Sequence, residues 1–131
     1  MDKTRLLIMM TSGPDTPHRL GMPFFQAMAA LALDAEEVTM VFTMDGTLLL
    51  KKEVAKDLHV KSGVAKNVYQ FMQDAHEMGM KMYVCPSSLE LHELGMADLI
   101  PECDGAMGAA AYSSLGFEEN VLTLCYYINP A

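Results

Sequence analysis

The sequence predicts an α/β fold of three layers. A mostly parallel five-stranded sheet carries helices on both faces, in a single domain over residues 1–131. Three observations point there. Short continuous apolar runs such as Leu6 to Met10 are what strands buried on both faces look like. They alternate with helical stretches in the order β, α, β, α, β, α, β, β, and such alternation argues a sheet covered on both sides. The chain has 131 residues, 51% apolar and 20% charged, which suits one globular core and not a disordered chain.

The elements follow in order. Leu6 to Met10 is the first strand and stops at Thr11-Ser12-Gly13-Pro14. A well-buried helix ends near Ala35. It opens either at Thr16-Pro17 or at Pro23, because proline suits the first helical turn. Val38 to Thr43 is the second strand, and Asp45-Gly46 marks a turn. The segment TLLLKKEVAKDLHV mixes an extended piece with a helical turn. Lys66 to Met78 is the clearest amphipathic helix. It has Val68, Phe71, Met72, Ala75 and Met78 on one face and Gly79 as its stop. Met80 to Val84 is the third strand and Ser88 to Leu94 a short helix. Asp104 to Ala110 reads as a small-residue strand, Ser113 to Glu119 as a helical turn, and Val121 to Tyr127 as the last strand.

Composition excludes several function classes. The net charge is −8, and Lys51-Lys52 is the only basic pair, so a nucleic-acid partner is not expected. No apolar stretch approaches the roughly 18–20 residues that span a membrane. The start MDKTRLLIMMTSG does not read as a signal peptide, and the expected location is cytoplasmic. Three cysteines, Cys85, Cys103 and Cys125, give neither CxxC nor a zinc spacing, so no disulfide framework, metal or cofactor is expected. There is no P-loop, no GxGxxG after a strand and no GxSxG. HELGM starts like HExxH but has Met96 in place of the second histidine. Met78, Met80 and Met82 alternate, which reads as a core-facing strand and not a copper site.

One stretch carries chemistry. In KMYVCPSSLELHELGM a thiol stands where a strand stops and a helix starts. Ligands of parallel sheets bind outside the carboxyl ends of strands, and Cys85 is at such an end. Pro86 forces Cys85 toward extended geometry. Two helix registers are open: Cys85 as N-cap with Pro86 first, or Ser87 as N-cap with Glu90 completing a capping box. In both, Cys85 lies within a turn of the positive end of a helix dipole, which favours the thiolate. Ser88 stands where a CxxC motif would place its second cysteine, so an internal disulfide cycle is disfavoured. The bland alternative is a small buried thiol with no chemistry. Cys125, in LTLCYY, is expected in the core, and Cys103 between the two in reactivity. His18 and Arg19, in the loop TSGPDTPHRLG after the first strand, belong to the same sheet edge and are expected to favour anionic sulfur species. A solvated loop charge is the alternative.

The chain resembles the DsrE/DsrF-like family, which includes sulfur-relay subunits and proteins labelled predicted peroxiredoxins. The resemblance runs through LLIMMTSGPDTPHRL, VTMVFTMDGTLLLKK, MGMKMYVCPSSLELHELGMADLI and DGAMGAAAY, in that order over nearly the whole chain. It implies a parallel-sheet α/β fold, assembly as a homo-oligomer such as a trimer or hexamer, and a persulfide carried on the cysteine that matches Cys85. It also brings in a small sulfur-carrier protein as a candidate partner. The function expected is sulfur transfer by thiol–persulfide exchange at Cys85, with Ser87 and Ser88 beside it. Two other readings stand: a non-enzymatic oligomeric module that binds a small ligand at the strand ends, and a peroxide-reactive thiol protein for which Cys103 would resolve the oxidised sulfur. Leu89, Leu91 and Leu94 on the short helix, with the apolar terminal CYYINPA, favour self-association.

Overall fold

The computed structural model describes residues 4–126. Its centre is a sheet of five parallel strands. β1 covers Arg5–Met10, β2 Glu37–Phe42, β3 Lys81–Val84, β4 Gly105–Ala106 and β5 Val121–Tyr126, in the spatial order β4-β3-β2-β1-β5. Every pair is parallel, where the sequence led us to expect a mostly parallel sheet.

The strand order dictates where the helices go. From β1 to β4 each crossover steps in one direction, and β5 returns to the far side of β1. Right-handed crossovers then put the first helices on one face and the last helix on the other. α1 (Met22–Ala32) and α2 (Val68–Glu77) bury the first face. Leu6, Ile8 and Met10 of β1, Val38, Met40 and Phe42 of β2, and Met82 and Val84 of β3 point there, one residue in two. They meet Phe24 and Ala27 of α1 and Val68, Phe71, Met72 and Ala75 of α2. Met80 and Met82 are buried in this core, while Met78 at the end of α2 is exposed. α4 (Ala109–Gly116) lies on the opposite face. A methyl group added at Gly116 would touch Thr123 Cγ2 and Leu7 Cδ2.

Local sequence explains the ends of these elements. Pro17 opens a separate 3-10 turn, Pro17–Arg19, and Pro23 lies in the first turn of α1, so both proline signals are used but for different elements. Asn67 caps α2: its side chain accepts from Gln70 N–H at 2.8 Å, and the Gln70 side chain accepts from Asn67 N–H at 2.8 Å. The segment after β2 forms 3-10 turns over Met44–Leu50 and Ala55–Asp57. Tyr69 of α2 donates to the Glu102 carboxylate at 2.8 Å and so ties the helix to the loop before β4.

Two expectations are corrected. The strand expected over Asp104 to Ala110 is confined to Gly105–Ala106, because Gly108 becomes the N-cap of a helix and Ala109 to Ala111 its first turn. Alanine has the highest helix propensity, and that outweighs the strand-like spacing of small residues. The helical turn expected at Ser113 to Glu119 accordingly begins four residues earlier and ends at Gly116. The second correction is Cys125, which is exposed and not in the core. β5 is an edge strand, and the residues of α4 above it are small, so its α4-facing side is thinly covered. The residues after Tyr126, which include most of CYYINPA, lie outside the described residues.

Candidate functional site

Cys85 follows β3 directly and is the N-cap of α3 (Pro86–Leu91), with Pro86 in the first turn. The structure therefore adopts the first of the two registers, and the Ser87 capping box does not form. The backbone at Cys85 is extended, φ −75° and ψ 121°, as a residue before proline requires. Its N–H donates to Phe42 O at 2.9 Å, so the thiol is carried on the last rung of the β2–β3 ladder.

Strand alternation decides which way the sulfur faces. Met82 and Val84 point to the α1–α2 core, so Tyr83 and Cys85 belong to the α4 face. There Cys85 lines a cavity of about 80 Å³ with Met9, Val41, Thr43, Met107, Gly108, Ala109 and Tyr112. The cavity exists because α4 crosses the sheet ends with glycine and alanine in its first turn. Gly108 faces α3, where an added methyl group would make ordinary contact with Pro86 Cδ at 4.0 Å.

The electrostatics of the three thiols differ. Partial burial pushes the Cys85 thiol up. The Ser87 and Thr43 hydroxyls and the N–H groups of Ser87 and Ser88 outweigh that and hold its pKa below the ordinary cysteine value. Ser87 Oγ lies 3.2 Å from Sγ. Cys103 is half-buried and its sulfur donates to Gly105 O at 3.4 Å; burial drives its pKa up. Burial also raises the pKa of Cys125, exposed though its surface is.

The segment beside the thiol is held on two sides. On one side, Ser88 Oγ accepts from Met44 N–H at 2.8 Å and lies 2.9 Å from Thr43 Oγ1. His92, the C-cap of α3, places Nε2 2.9 Å from Met44 O and 3.6 Å from Asp45 Oδ1. On the other side the first-strand loop presses in. An added methyl at Gly13 would meet Asp45 O at 2.6 Å, and one at Gly46 would collide with Met10 O, so both positions need glycine for the close approach.

The expected site residues therefore divide. Cys85 and Ser87 are in contact at the cavity mouth. Ser88 is beside them, but its side chain is buried and turned toward Thr43 and Met44. His18 and Arg19 are exposed in the 3-10 turn after β1, and neither lines the cavity. Thr43, Met107 and Tyr112 line it and were not anticipated. For Thr43 a signal existed: it ends a strand on the same sheet edge as Cys85.

Comparison with known proteins places the chain. The DsrE/DsrF-like family matches residues 4–119. Among solved structures, the protein of unknown function MTH1491 from Methanobacterium thermoautotrophicum superposes with a TM-score of 0.68 at 12% identity. The match covers 95% of this chain and 100% of that one. The ychN protein from E. coli superposes with a TM-score of 0.66 at 10% identity, with the same coverage of 95% and 100%. At such identities the likeness is one of fold. No curated protein matches the chain. A match over most of the chain, with the five-stranded parallel sheet behind it, means that this protein belongs to the DsrE/DsrF-like family.

Proposed function

We propose that the protein carries sulfane sulfur as a persulfide on Cys85 and passes it to a thiol of a partner. The observation that carries this reading is the placement of an acidified, partly exposed thiol at the mouth of a small apolar cavity over the strand ends. Membership of a family that includes sulfur-relay subunits supports it.

The chemistry is thiol–persulfide exchange. The Cys85 thiolate attacks the outer sulfur of a donor persulfide, an Sγ–S bond forms, the donor's S–S bond breaks, and the donor leaves as its thiolate. Discharge is the same step with an acceptor thiolate as nucleophile and Cys85 as leaving group. A stabilised thiolate serves both halves, as attacker and as leaving group. A cavity of about 80 Å³ has room for a sulfur atom or two and excludes a large donor, whose body must stay at the surface. With no charged side chain in its lining among the described residues, it also suits an uncharged, polarisable sulfur better than an oxyanion.

The peroxide reading is less well supported. Its resolving thiol would be Cys103, which is half-buried and held in the protonated form. For assembly, we propose a homo-oligomer, a trimer or a multiple of it. Phe117 (88% exposed) and Leu122 (55%) flank the turn between α4 and β5, and Leu91 of α3 (62%) adds a further apolar surface. Leu89 and Leu94, by contrast, pack on the core. Among the described residues no helix is long and apolar enough to cross a membrane.

The test is incubation with a small-molecule hydropersulfide, removal of excess donor, and assay of cyanide-labile sulfur. Near-stoichiometric labile sulfur is expected in the native protein and none in Cys85→Ser. Equal loading of the two proteins would refute the reading.

A further inference from the structure

Two groups of α3, Ser88 at its third residue and His92 at its C-cap, engage one short segment after β2, Thr43 to Asp45, and the N-cap Cys85 lines the same cavity as the first residue of that segment. Met44 sits between them in the left-handed region, φ 52°. Its N–H donates to Ser88 Oγ at 2.8 Å. Its carbonyl oxygen can only accept, so His92 Nε2, at 2.9 Å, carries a proton and donates to it. A methionine holds such a backbone only where its surroundings over-determine it, and strain of this kind gathers at functional sites.

The pinned Met44 fixes the residue before it. Thr43 keeps extended geometry, φ −141° and ψ 168°, and continues the alternation of β2. Its side chain therefore falls on the α4 face with Val41, lining the cavity with Cys85. A count of protons then gives the polarity. Ser88 is 3% exposed, and one of its lone pairs is taken by Met44 N–H. The contact of 2.9 Å between Ser88 Oγ and Thr43 Oγ1 uses one hydroxyl proton of two. If Ser88 donates in it, the Thr43 proton is left over for an acceptor in the cavity. An ionised Cys85 is that acceptor, and its charge selects this orientation.

We propose that Thr43, with its hydroxyl oriented by Ser88, is the hydrogen-bond donor on the sheet side that holds Cys85 as the attacking thiolate. Ser88 is a positioning residue that acts through Thr43. Ser87, 3.2 Å from the sulfur on the helix side, is the more solvent-exposed donor. Among the described residues no charged side chain lines the cavity, and the Tyr112 phenol of α4, raised first by burial, stays neutral. Asp45 and His92 lie beyond Ser88, 3.6 Å from each other. Hydroxyls and backbone N–H groups thus do here what a neighbouring cation does at other acidic thiols.

The inference rests on Cys85 being the sulfur acceptor, but its test reads ionisation and stands apart from whether sulfur is transferred. The rate of Cys85 alkylation by iodoacetamide is followed against pH in the full chain, with peptide mass locating the label. Thr43→Val is expected to raise the midpoint by about one pH unit, while Thr43→Ser, which keeps the hydroxyl, stays close to the native protein. Ser88→Ala is expected to raise it by roughly half a unit with Thr43 intact. A Thr43→Val midpoint equal to the native one, or a Thr43→Ser midpoint as high as that of Thr43→Val, would overturn the role of Thr43. An unchanged midpoint in Ser88→Ala would overturn that of Ser88. Loss of sulfur loading with these midpoints as expected would instead count against the transfer reaction and leave the inference intact.

Discussion

Cys85 owes its acidity to neighbours two and three residues on, and to Thr43, just past the end of another strand. A free thiol with pKa near 8.5 is only a few per cent ionised at neutral pH, so even a modest depression multiplies the reactive fraction. The other two thiols are shifted the opposite way by burial. With limiting iodoacetamide at pH 7, Cys85 is therefore expected to label first, Cys125 more slowly despite its exposure, and Cys103 last. Labelling of Cys125 ahead of Cys85 would contradict this. The linkage to stability has a definite sign: the folded chain holds the thiolate better than the unfolded chain does. The contribution of Cys85 is full above the unfolded thiol pKa and is lost as pH falls through the lower folded value. Cys85 was legible in the sequence because a strand end, a proline and a helix start are local signals. For Thr43 only the sheet edge was legible; its place beside Cys85 depends on the β2–β3 register, which pairs Phe42 with Val84. The exposure of Cys125 was misjudged for the same kind of reason: LTLCYY is apolar enough for a central strand, and only the sheet order makes it an edge.

The helices and strands with strong local patterns were placed to within two residues at most boundaries. α2 is the clearest, since its apolar spacing matches the buried face and Asn67 supplies its reciprocal cap. Asn67→Ala is expected to cost about 1 kcal/mol of stability, read as a lower midpoint in urea without a change in slope. A loss well under half of that would mean that packing alone holds the start of α2. The region from Asp104 to Glu119 was misread, because small residues satisfy the steric needs of a buried strand and of a helix alike. β4 stops after Gly105–Ala106, Gly108 caps the helix that follows, and the alanines then follow their own propensity. That misreading hid the cavity, since the first turn of α4 forms one of its walls.

At the scale of the molecule, the order β4-β3-β2-β1-β5 sends α1 and α2 to one face and leaves α4 alone on the other. One face is closed by a large core and the other holds the cavity, while Phe117 and Leu122 leave an exposed apolar edge beside the outer end of the sheet at β5. That edge is expected to be covered by further copies of the chain. Light scattering at micromolar concentration should give a multiple of the 14.4 kDa chain mass, and Phe117→Asp with Leu122→Asp should reduce it. A native mass equal to one chain would contradict the assembly. The central claim is that sulfur resides on Cys85, and peptide mass mapping of the native protein after treatment with a hydropersulfide tests it most directly. The account predicts a gain of about 32 Da, one sulfur atom, on the peptide that holds Cys85 and on neither of the other two cysteine peptides. Sulfur found on Cys103 or Cys125 with Cys85 unmodified, or on none of the three, would contradict it.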